Sequence, residues 1–544
     1  MVTLDSMMKN DMTFHSQKNT KISRGSMLVY ALVITATVGI LLSSIIGFVV
    51  QNLKFSSNRA AREEAFQVAE SGIYSYRWYL AHATDGMNAQ QLKAFWQNAA
   101  TLGVSAPVEA DYTDPGTGAV VGHYSLVLDP PDPSSTIATI TSTGTSTSDA
   151  GVSRTVRARF RRPSWSEYIY LVNDFVNFGS AAEVFGKVHS NTGVRFDGLA
   201  HNSVTSLSSS FDDPSISGSA LKFGVHTTKP TADPNAPSYP WPAGTVPDRP
   251  DVFEGGRQFP VPEVSFTGVS SDLVSMKQEA SSGNGHYFNC SGAGRRIILK
   301  TDGSFDVCTV NAYDSGTLSI TNYSGTVTNA TGSYSSTNGN ACVTTASCAS
   351  GSFTWVSSSN HNRGKCTVNF QNNIGIPNDG IIFVEDNAWV EGQVNDRRVT
   401  IAAANLVQDA TCGSTLANVF LGYHNTANLR YTYYDGRDVI GLVGQKNVQI
   451  GRDCPEDFTI DAALLAQDQT GKVFRDSGSY SCPTYHRDKL TVNGAIASYL
   501  QPYFNSGSCG FTTRIYNFDN NLLYYPLPYF PTGTEYSIDL WEEL

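Results

Sequence analysis

The chain has 544 residues, a net charge of −11 and only 16% charged residues. At about 100–200 residues per domain, it has room for more than one domain. A charged content below the usual value of about 25%, with abundant glycine, suits short strands, many turns and an exposed surface. The acidic balance argues against nucleic acid as a partner, because nucleic-acid-binding domains normally present a basic face.

An uncharged apolar run occupies residues 26–50. Roughly 20 apolar helical residues cross the hydrocarbon core of a bilayer, so this run predicts a transmembrane helix after a cytoplasmic leader of residues 1–25. Lys18, Lys21 and Arg24 precede it, which favours an N-terminus inside the cytoplasm and an extracytoplasmic head. A cleaved signal peptide is the alternative, but its apolar region usually spans only about 7–15 residues.

The helix is expected to continue well past the apolar run. Residues 52–79 contain no proline, and apolar residues recur there at spacings of three and four, which predicts one buried helix face. These residues are Phe66, Ala69, Ile73, Tyr76 and Leu80. A second, short amphipathic helix is predicted over residues 88–100, with Leu92, Phe95 and Trp96 on its buried side.

Three strands are predicted within residues 123–162, completing a small α/β head over residues 51–162. In the last strand, buried and exposed positions alternate, which is the period of a strand with one buried face. Val156, Ala158 and Phe160 form the apolar side, and Arg157, Arg159 and Arg161 form the other. The arginine face is either solvated or in contact with anionic lipid, polysaccharide or DNA.

Residues 163–544 read as a β-rich extracytoplasmic domain, so the fold class is α+β. Short apolar pairs recur there without a long helical pattern, which favours a right-handed β-solenoid, with a β-sandwich as the alternative. Insertions are predicted at residues 229–264, which are proline-rich, and at residues 311–355, which are polar. The pairs are Val176/Phe178, Val194/Phe196, Ile382/Val384, Val399/Ile401, Val419/Leu421, Val448/Ile450, Phe458/Ile460 and Leu490/Val492.

All nine cysteines lie in this domain, and no two have the Cys-x-x-Cys spacing of a zinc or redox motif. Outside the cytoplasm, disulfides are therefore expected, with one thiol left over from the odd count. Cys342 and Cys348 are placed to close a small loop. We predict no metal and no cofactor. The cysteines are Cys290, Cys308, Cys342, Cys348, Cys366, Cys412, Cys454, Cys482 and Cys509.

The N-terminal region resembles that of PilX-type minor pilins over roughly residues 20–80. Two segments carry the resemblance: Arg24-Gly25-Ser26 before the apolar run, and the stretch of residues 62–73 after it. The resemblance implies a prepilin peptidase cut between Gly25 and Ser26. It also implies a helix assembly motif made of Ala65, Phe66, Ala69, Glu70 and Gly72.

The resemblance further implies a minor pilin or pseudopilin of a type IV pilus-like assembly, with a surface head for priming, tip formation or adhesion. Its partners would be other pilins, the pilus assembly platform and the lipid bilayer. Tyr30 stands where most major pilins carry glutamate, five residues after the cut. A plain surface protein that never enters a fibre is the alternative.

Signatures of catalysis are absent, including the nucleophile elbow, the zinc-protease helix and the phosphate-binding loop, so no enzyme is predicted. His189, Ser190 and Asp197 invite a triad interpretation that we expect to be coincidental. The enzymatic alternative is a membrane-tethered β-solenoid enzyme acting on polysaccharide. Its acidic candidates are Asp302 and Asp306, or Asp435, Asp438 and Asp453.

Aromatic clusters are the stronger indication of binding. Tyr431, Tyr433 and Tyr434 are expected either to be exposed and contact a glycan or protein ligand, because rings offer large contact area at low entropic cost, or to pack as the cap of a solenoid rung. A second cluster, Tyr524, Tyr525, Tyr529 and Phe530, is predicted to cap the end of the β-rich domain.

Overall fold

The structure is a computed structural model that contains four α-helices in the part of the chain it describes. They are α1 (Arg24–Ala83), α2 (Ala89–Gln97), α3 (Val269–Ser281) and α4 (Asn521–Tyr524), with a 3₁₀ turn at Trp165–Glu167. The described residues are 24–87, 89–132, 135–266, 269–283, 285–291, 293–313, 364–377, 380–423, 427–452, 454–476, 486–506, 509–525, 527–533 and 535–544.

The predicted long N-terminal apolar helix is confirmed. Helix α1 has 60 residues, or about 90 Å at about 1.5 Å per residue. Its most apolar window has a mean hydropathy of 2.4, and none of that window is buried. By length and composition the helix can cross a membrane. Its exposed apolar side chains include Leu28, Ile34, Leu41 and Phe48.

The first of two compact units comprises the chain up to Ser71 together with Glu109–Ser125 and Thr143–Thr155. Parts of four strands belong to this unit, and the strands pair in chain order: β1 (Val108–Thr113), β2 (Val120–Asp129), β3 (Ala138–Ser146) and β4 (Ser153–Arg161).

Glycine allows the close approach of α1 to β3 within this unit. A Cβ at Gly144 would lie 2.3 Å from the Ala65 carbonyl oxygen and 2.4 Å from the Ala69 amide nitrogen. Gly122 on β2 meets the Val68 side chain in the same way. Ala65 and Ala69 are fully buried as a result.

The second unit comprises Gly72–Val108, Leu126–Ser142 and Val156–Leu544. Its remaining strands are β5 (Tyr170–Val172), β6 (Val176–Phe178), β7 (Glu183–Phe185), β8 (Val188–Ser190), β9 (Val194–Phe196), β10 (Leu199–Ala200), β11 (Val204–Ser206), β12 (Ser210–Phe211), β13 (Lys222–Phe223), β14 (Val225–His226), β15 (Arg257–Gln258), β16 (Gly285–Phe288), β17 (Gly294–Leu299), β18 (Ser304–Tyr313), β19 (Gly364–Gly375), β20 (Gly380–Val384), β21 (Ala388–Val394), β22 (Arg398–Ala403), β23 (Val419–Leu421), β24 (Leu429–Tyr431), β25 (Val439–Gly444), β26 (Val448–Ile450), β27 (Asp457–Ala466), β28 (Val473–Arg475), β29 (Arg487–Ser498), β30 (Asn505–Ser506), β31 (Cys509–Phe518) and β32 (Ser537–Glu543).

Parallel pairing dominates this large β-rich region. One continuous series of parallel neighbours runs β16, β20, β22, β25, β27, β29, β5, β8, β11 and β15. The chain enters this series in the middle, at β5, and first builds outward to β15. It then passes through α3 to β16 at the other end and builds back until β29 pairs with β5. At the junction between β29 and β5, the two strands that pair are therefore far apart along the chain.

Two apolar layers cover both faces of the central strands of this series, β20, β22, β25, β27, β29 and β5. Every apolar pair predicted from the sequence lies in one interior cluster. Each residue of these pairs is at most 4% exposed. The alternate side chains, such as Ile381, Phe383 and Leu465, face a second cluster with α3 and the segment around Leu527 and Phe530. Burial on both faces explains why β20 and β25 are apolar at nearly every position.

Amide side chains form ladders from one strand turn to the next. Asn418 donates from its backbone nitrogen to Oδ1 of Asn387 at 2.8 Å, and Asn447 donates to Oδ1 of Asn418 at 2.8 Å. In a second ladder, Asn493 donates to Asp461 at 2.7 Å, and Asn517 donates to Asn493 at 2.8 Å. Such ladders satisfy buried polar groups only when successive turns are stacked in register.

Replacing Gly144 by alanine is expected to destabilise the first unit. The added methyl group would contact helix backbone that cannot move alone, and overpacking of this kind typically costs about 1–3 kcal/mol. We expect faster hydrogen exchange of the α1 amides near Ala65, measured by mass spectrometry. The matched control is Gly151→Ala, where a Cβ meets only the Asp149 carboxylate at 3.3 Å. Equal exchange in the two variants would contradict the close-approach argument.

Candidate functional sites

The arginine face of β4 is covered by carboxylates of the same chain. Strand β32 pairs antiparallel with β4, and Arg159 donates to both carboxylate oxygens of Asp539 at 2.8 Å. Arg161 bridges Asp539 and Glu167, and Arg157 pairs with Glu542 at 3.0 Å. Neither alternative given for this arginine face, solvation or contact with an anionic partner, included these carboxylates of the same chain. Sequence analysis missed the pairing because Arg159 and Asp539 are 380 residues apart.

Arg162, the last arginine of this stretch, is buried and has a different role. It donates to the carbonyl oxygens of Thr84 and Met87 at 3.0 and 3.1 Å, just after the end of α1. The Thr84 carbonyl also accepts from the Met87 amide at 3.2 Å, so the guanidinium holds the turn that follows the helix. Its carbon lies 5.4 Å from the centre of the Tyr536 ring.

The three residues of the suggested triad have separate partners. His189 places Nδ1 2.9 Å from the Thr205 hydroxyl and Nε2 2.9 Å from Oδ1 of Asn191. Ser190 donates to the Asp174 carbonyl at 2.8 Å. Asp197 accepts from the Thr228 amide at 2.6 Å and from Arg195 at 2.8 Å. These bonds are those of a packed strand turn.

The acidic candidates mainly satisfy backbone amides. Asp438 is 1% exposed and accepts from the amides of Thr432 and Tyr433 at 2.9 and 2.7 Å. Asp306 accepts from the Asn373 amide at 2.8 Å and pairs with Lys300. Asp453 lies outside the described residues. Among the described residues, no group of three or more His, Cys, Asp or Glu side chains could hold a metal ion.

Two further acids, Asp302 and Asp435, lie in exposed turns. The hydrogen bond from Ser304 lowers the pKa of Asp302, and the hydrogen bond from Arg437 lowers the pKa of Asp435. A general acid needs a raised pKa, so both shifts run opposite to what acid catalysis of glycoside hydrolysis requires.

The predicted aromatic trio divides into one buried and two exposed rings. Tyr431 is 2% exposed within the interior cluster, so the surface-binding alternative is wrong for this ring. Strand alternation explains the difference, because Tyr431 ends β24 on its inward side. Tyr433 and Tyr434 are 56% and 53% exposed.

The C-terminal aromatic cluster also divides. Phe530 is buried in the outer apolar layer beside Leu527, with Tyr529 packed against the same layer. Tyr524 and Tyr525 are exposed. This cluster covers the outer face of the parallel series, because its neighbours include Ala402 and Val443 of β22 and β25.

A groove of about 490 Å³ lies where β17, β21 and β24 run side by side. The strands are in register there, with Leu299 opposite Gly392 and Gln393 opposite Arg430. Seven of its ten lining residues are polar or charged, and the lining comprises Ile298, Leu299, Lys300, Thr301, Asp302, Glu391, Gly392, Gln393, Asn428 and Arg430. Of these, the sequence analysis singled out only Asp302.

The residues implied by the pilin resemblance lie along α1. Gly25 and Ser26 fall in its first turn, and Tyr30 is 66% exposed. Ala65, Ala69 and Gly72 are buried, whereas Phe66 and Glu70 are half-buried. The small residues of the motif thus pack within this chain.

The cysteines include one disulfide between described residues, Cys290–Cys412, which joins positions 122 residues apart. Cys308 is also disulfide-bonded, and Cys454 is fully buried in the interior cluster. Cys342, Cys348 and Cys482 lie outside the described residues, as do the side chains of Cys366 and Cys509. The suggested Cys342–Cys348 loop therefore stays a prediction.

Comparison with known proteins gives only weak structural similarity. No protein-family model and no curated protein matches the chain. The chain is similar to the competence-associated pilin ComZ from Thermus thermophilus, at 13% identity and a TM-score of 0.25, over 89% of this chain and 97% of that chain. At that TM-score the similarity carries no argument, so the proposals below depend on this chain's own residues.

Neutralising Asp539 is expected to cost more stability than neutralising Glu542. Asp539→Asn leaves Arg159 and Arg161 mostly buried without their shared carboxylate, at about 2–4 kcal/mol. Glu542→Gln removes a pair whose partners are both more than 40% exposed, at less than about 1 kcal/mol. The thermal midpoint of the full chain in lipid nanodiscs measures both. A larger drop for Glu542→Gln would contradict the burial argument.

Acidification is expected to destabilise the second unit partly through His189. Burial lowers the pKa of His189, so the folded chain takes up its proton only below the unfolded value of about 6.5. Stability therefore falls as pH drops below that value. The thermal midpoint should fall less between pH 7.5 and 5.5 in His189→Gln than in the wild type. Identical pH dependence in the two proteins would show that His189 is not buried in its neutral form.

Proposed function

We propose that the chain is a minor pilin or pseudopilin-like component of a type IV pilus-like assembly, anchored in the membrane by α1. One observation carries this proposal. A single uninterrupted helix is apolar and exposed over its first half, and is packed against its own chain over its second half. A helix that only completed a core would be covered along its whole length.

The exposed half of α1 needs an apolar environment. Its large hydrophobic side chains would otherwise form a contiguous patch far beyond what soluble proteins tolerate. Two of its polar side chains are satisfied within the helix, since Thr37 and Ser44 donate to the carbonyls of Ile34 and Ile40 at 2.9 Å. That arrangement suits hydrocarbon, where an unpaired polar group is costly.

The orientation follows from charge and redox chemistry. Basic residues before the apolar run favour a cytoplasmic N-terminus, which places the β-rich region outside the cytoplasm. The Cys290–Cys412 disulfide fits that side of the membrane, because such bonds persist in oxidising compartments.

The β-rich region is proposed to be a β-solenoid that serves as the displayed head. The in-register parallel pairing and the asparagine ladders of Asn387, Asn418 and Asn447 support stacked rungs over a sandwich. Its acids are committed to structural hydrogen bonds, which favours a head that binds over one that catalyses.

Tyr30 indicates where in a fibre the subunit would lie. The apolar run carries no carboxylate to pair with the N-terminal amine of a neighbouring subunit. A role at the start or tip of a fibre is therefore favoured over repeated incorporation along it.

Mass spectrometry of the mature N-terminus tests this function. Material from sheared surface fibres of the native host is expected to begin at Ser26. Gly25→Val is the control and should remain full-length, since the resemblance assigns the cut to that bond. An intact N-terminus found only in membranes would contradict fibre assembly and leave a plain surface anchor.

A further inference from the structure

We propose that the groove between β17, β21 and β24 binds a neutral polysaccharide strand, with Tyr433 and Tyr434 as an aromatic platform beside it. The proposal deepens the proposed function, since it names the chemical class of ligand for a head displayed outside the cell. It requires the head to be accessible, but it does not require cleavage or fibre assembly.

The shape of the groove is fixed by backbone. Gly392 has a φ of +109°, and a Cβ there would lie 2.1 Å from the Leu299 carbonyl oxygen. Glycine therefore lets β21 approach β17 closely at this point. The volume of about 490 Å³ lies within the range of about 300–1,000 Å³ that is typical of ligand sites.

The lining offers the groups that recognise sugar hydroxyls. Thr301 and Asp302 are exposed on one side of the groove, and Gln393 and Asn428 are half-buried on the other. A hydroxyl, a carboxylate and two amides together supply both donors and acceptors. A sugar hydroxyl both donates and accepts, so a mixed lining suits it better than a lining of one kind.

Charge pairing argues against a polyanionic ligand. The Lys300 ammonium lies 2.8 Å from Asp306, and Arg430 lies 3.1 Å from Asp461. Each of these two cations already has a carboxylate, and Asp302 adds a further negative charge. A uronate or sulfated chain would therefore be placed against a neutral to acidic surface, which repels it. An uncharged glycan has no net charge and is not repelled.

The aromatic platform is tied to the wall of the groove. Gln393, which lines the groove, donates to the Tyr431 carbonyl at 3.1 Å. The Tyr434 hydroxyl donates to Asp461 at 2.8 Å and lies 3.4 Å from Nη2 of Arg430. The backbone is held as well, since Asn521 donates to the Tyr434 carbonyl at 3.2 Å.

Because the loop is already ordered, ligand binding does not have to order it. Preorganised rings lose little conformational freedom on contact, and this lowers the entropic cost of binding. Tyr433 and Tyr434 each leave more than half of their surface exposed. Exposed rings held in place beside a polar groove match the apolar faces and hydroxyl edges of a sugar chain.

The test is isothermal titration calorimetry of the full chain in lipid nanodiscs at near-physiological salt. The probes are cellohexaose, maltohexaose, mannohexaose and chitohexaose, with hexagalacturonate as the polyanion. The blocking variant is Thr301→Trp, which fills the groove from an exposed turn. The matched control is Thr415→Trp, at an exposed position outside the groove lining.

We expect at least one neutral hexaose to bind the wild type. Affinity should fall by at least about tenfold in Thr301→Trp and stay unchanged in Thr415→Trp. Tyr433→Ala should weaken binding by about threefold to tenfold, because a single aromatic contact is typically worth about 0.5–1.5 kcal/mol.

Three results would overturn the proposal. They are no binding of any neutral hexaose, binding that Thr301→Trp leaves intact, and salt-sensitive preference for hexagalacturonate. The N-terminal mass measurement is independent of all three. Binding by a chain with an intact N-terminus would overturn fibre assembly alone, and a chain that is cut but binds no glycan would overturn the groove alone.

Discussion

The pairing of β29 with β5 is the contact on which the large β-rich region depends. Ile496 and Tyr170 meet in register there, with Ile496 in the interior layer and Ala497 in the outer layer. Strands β5 to β15 lie on one side of this junction, and β16 to β27 lie on the other. Without the junction, each part would expose a long unpaired parallel edge. Two short strand pairs, β29 with β5 and β31 with β7, thus join two partial stacks into a single buried core.

Much of the fold could be predicted from the sequence, because local patterns of apolar residues match the faces that are buried in the structure. The spacing of Phe66, Ile73 and Leu80 predicted the packed half of α1, and every predicted apolar pair entered one core. These features depend on residues within a few positions of each other, where helix and strand periods fix which face is buried.

The features that were missed depend on residues distant along the chain. The carboxylate of Asp539 reaches Arg159 across 380 residues, and no local pattern marks it as a partner. The groove likewise assembles from three strands whose register no single segment shows. Tyr431 was misplaced for a smaller reason: a one-residue change along a strand exchanges interior for surface.

The topology of the junction has a consequence for biogenesis. Asp174 and Gln501, which meet beside it, are 327 residues apart. A chain threaded across a membrane from its N-terminus would present the first half of the junction long before the second half arrives. Until β29 is made, the edge of β5 that faces it has no partner from its own chain, and an unpaired strand edge is open to pairing with other chains. A copy that ends before β29 would keep that edge open permanently.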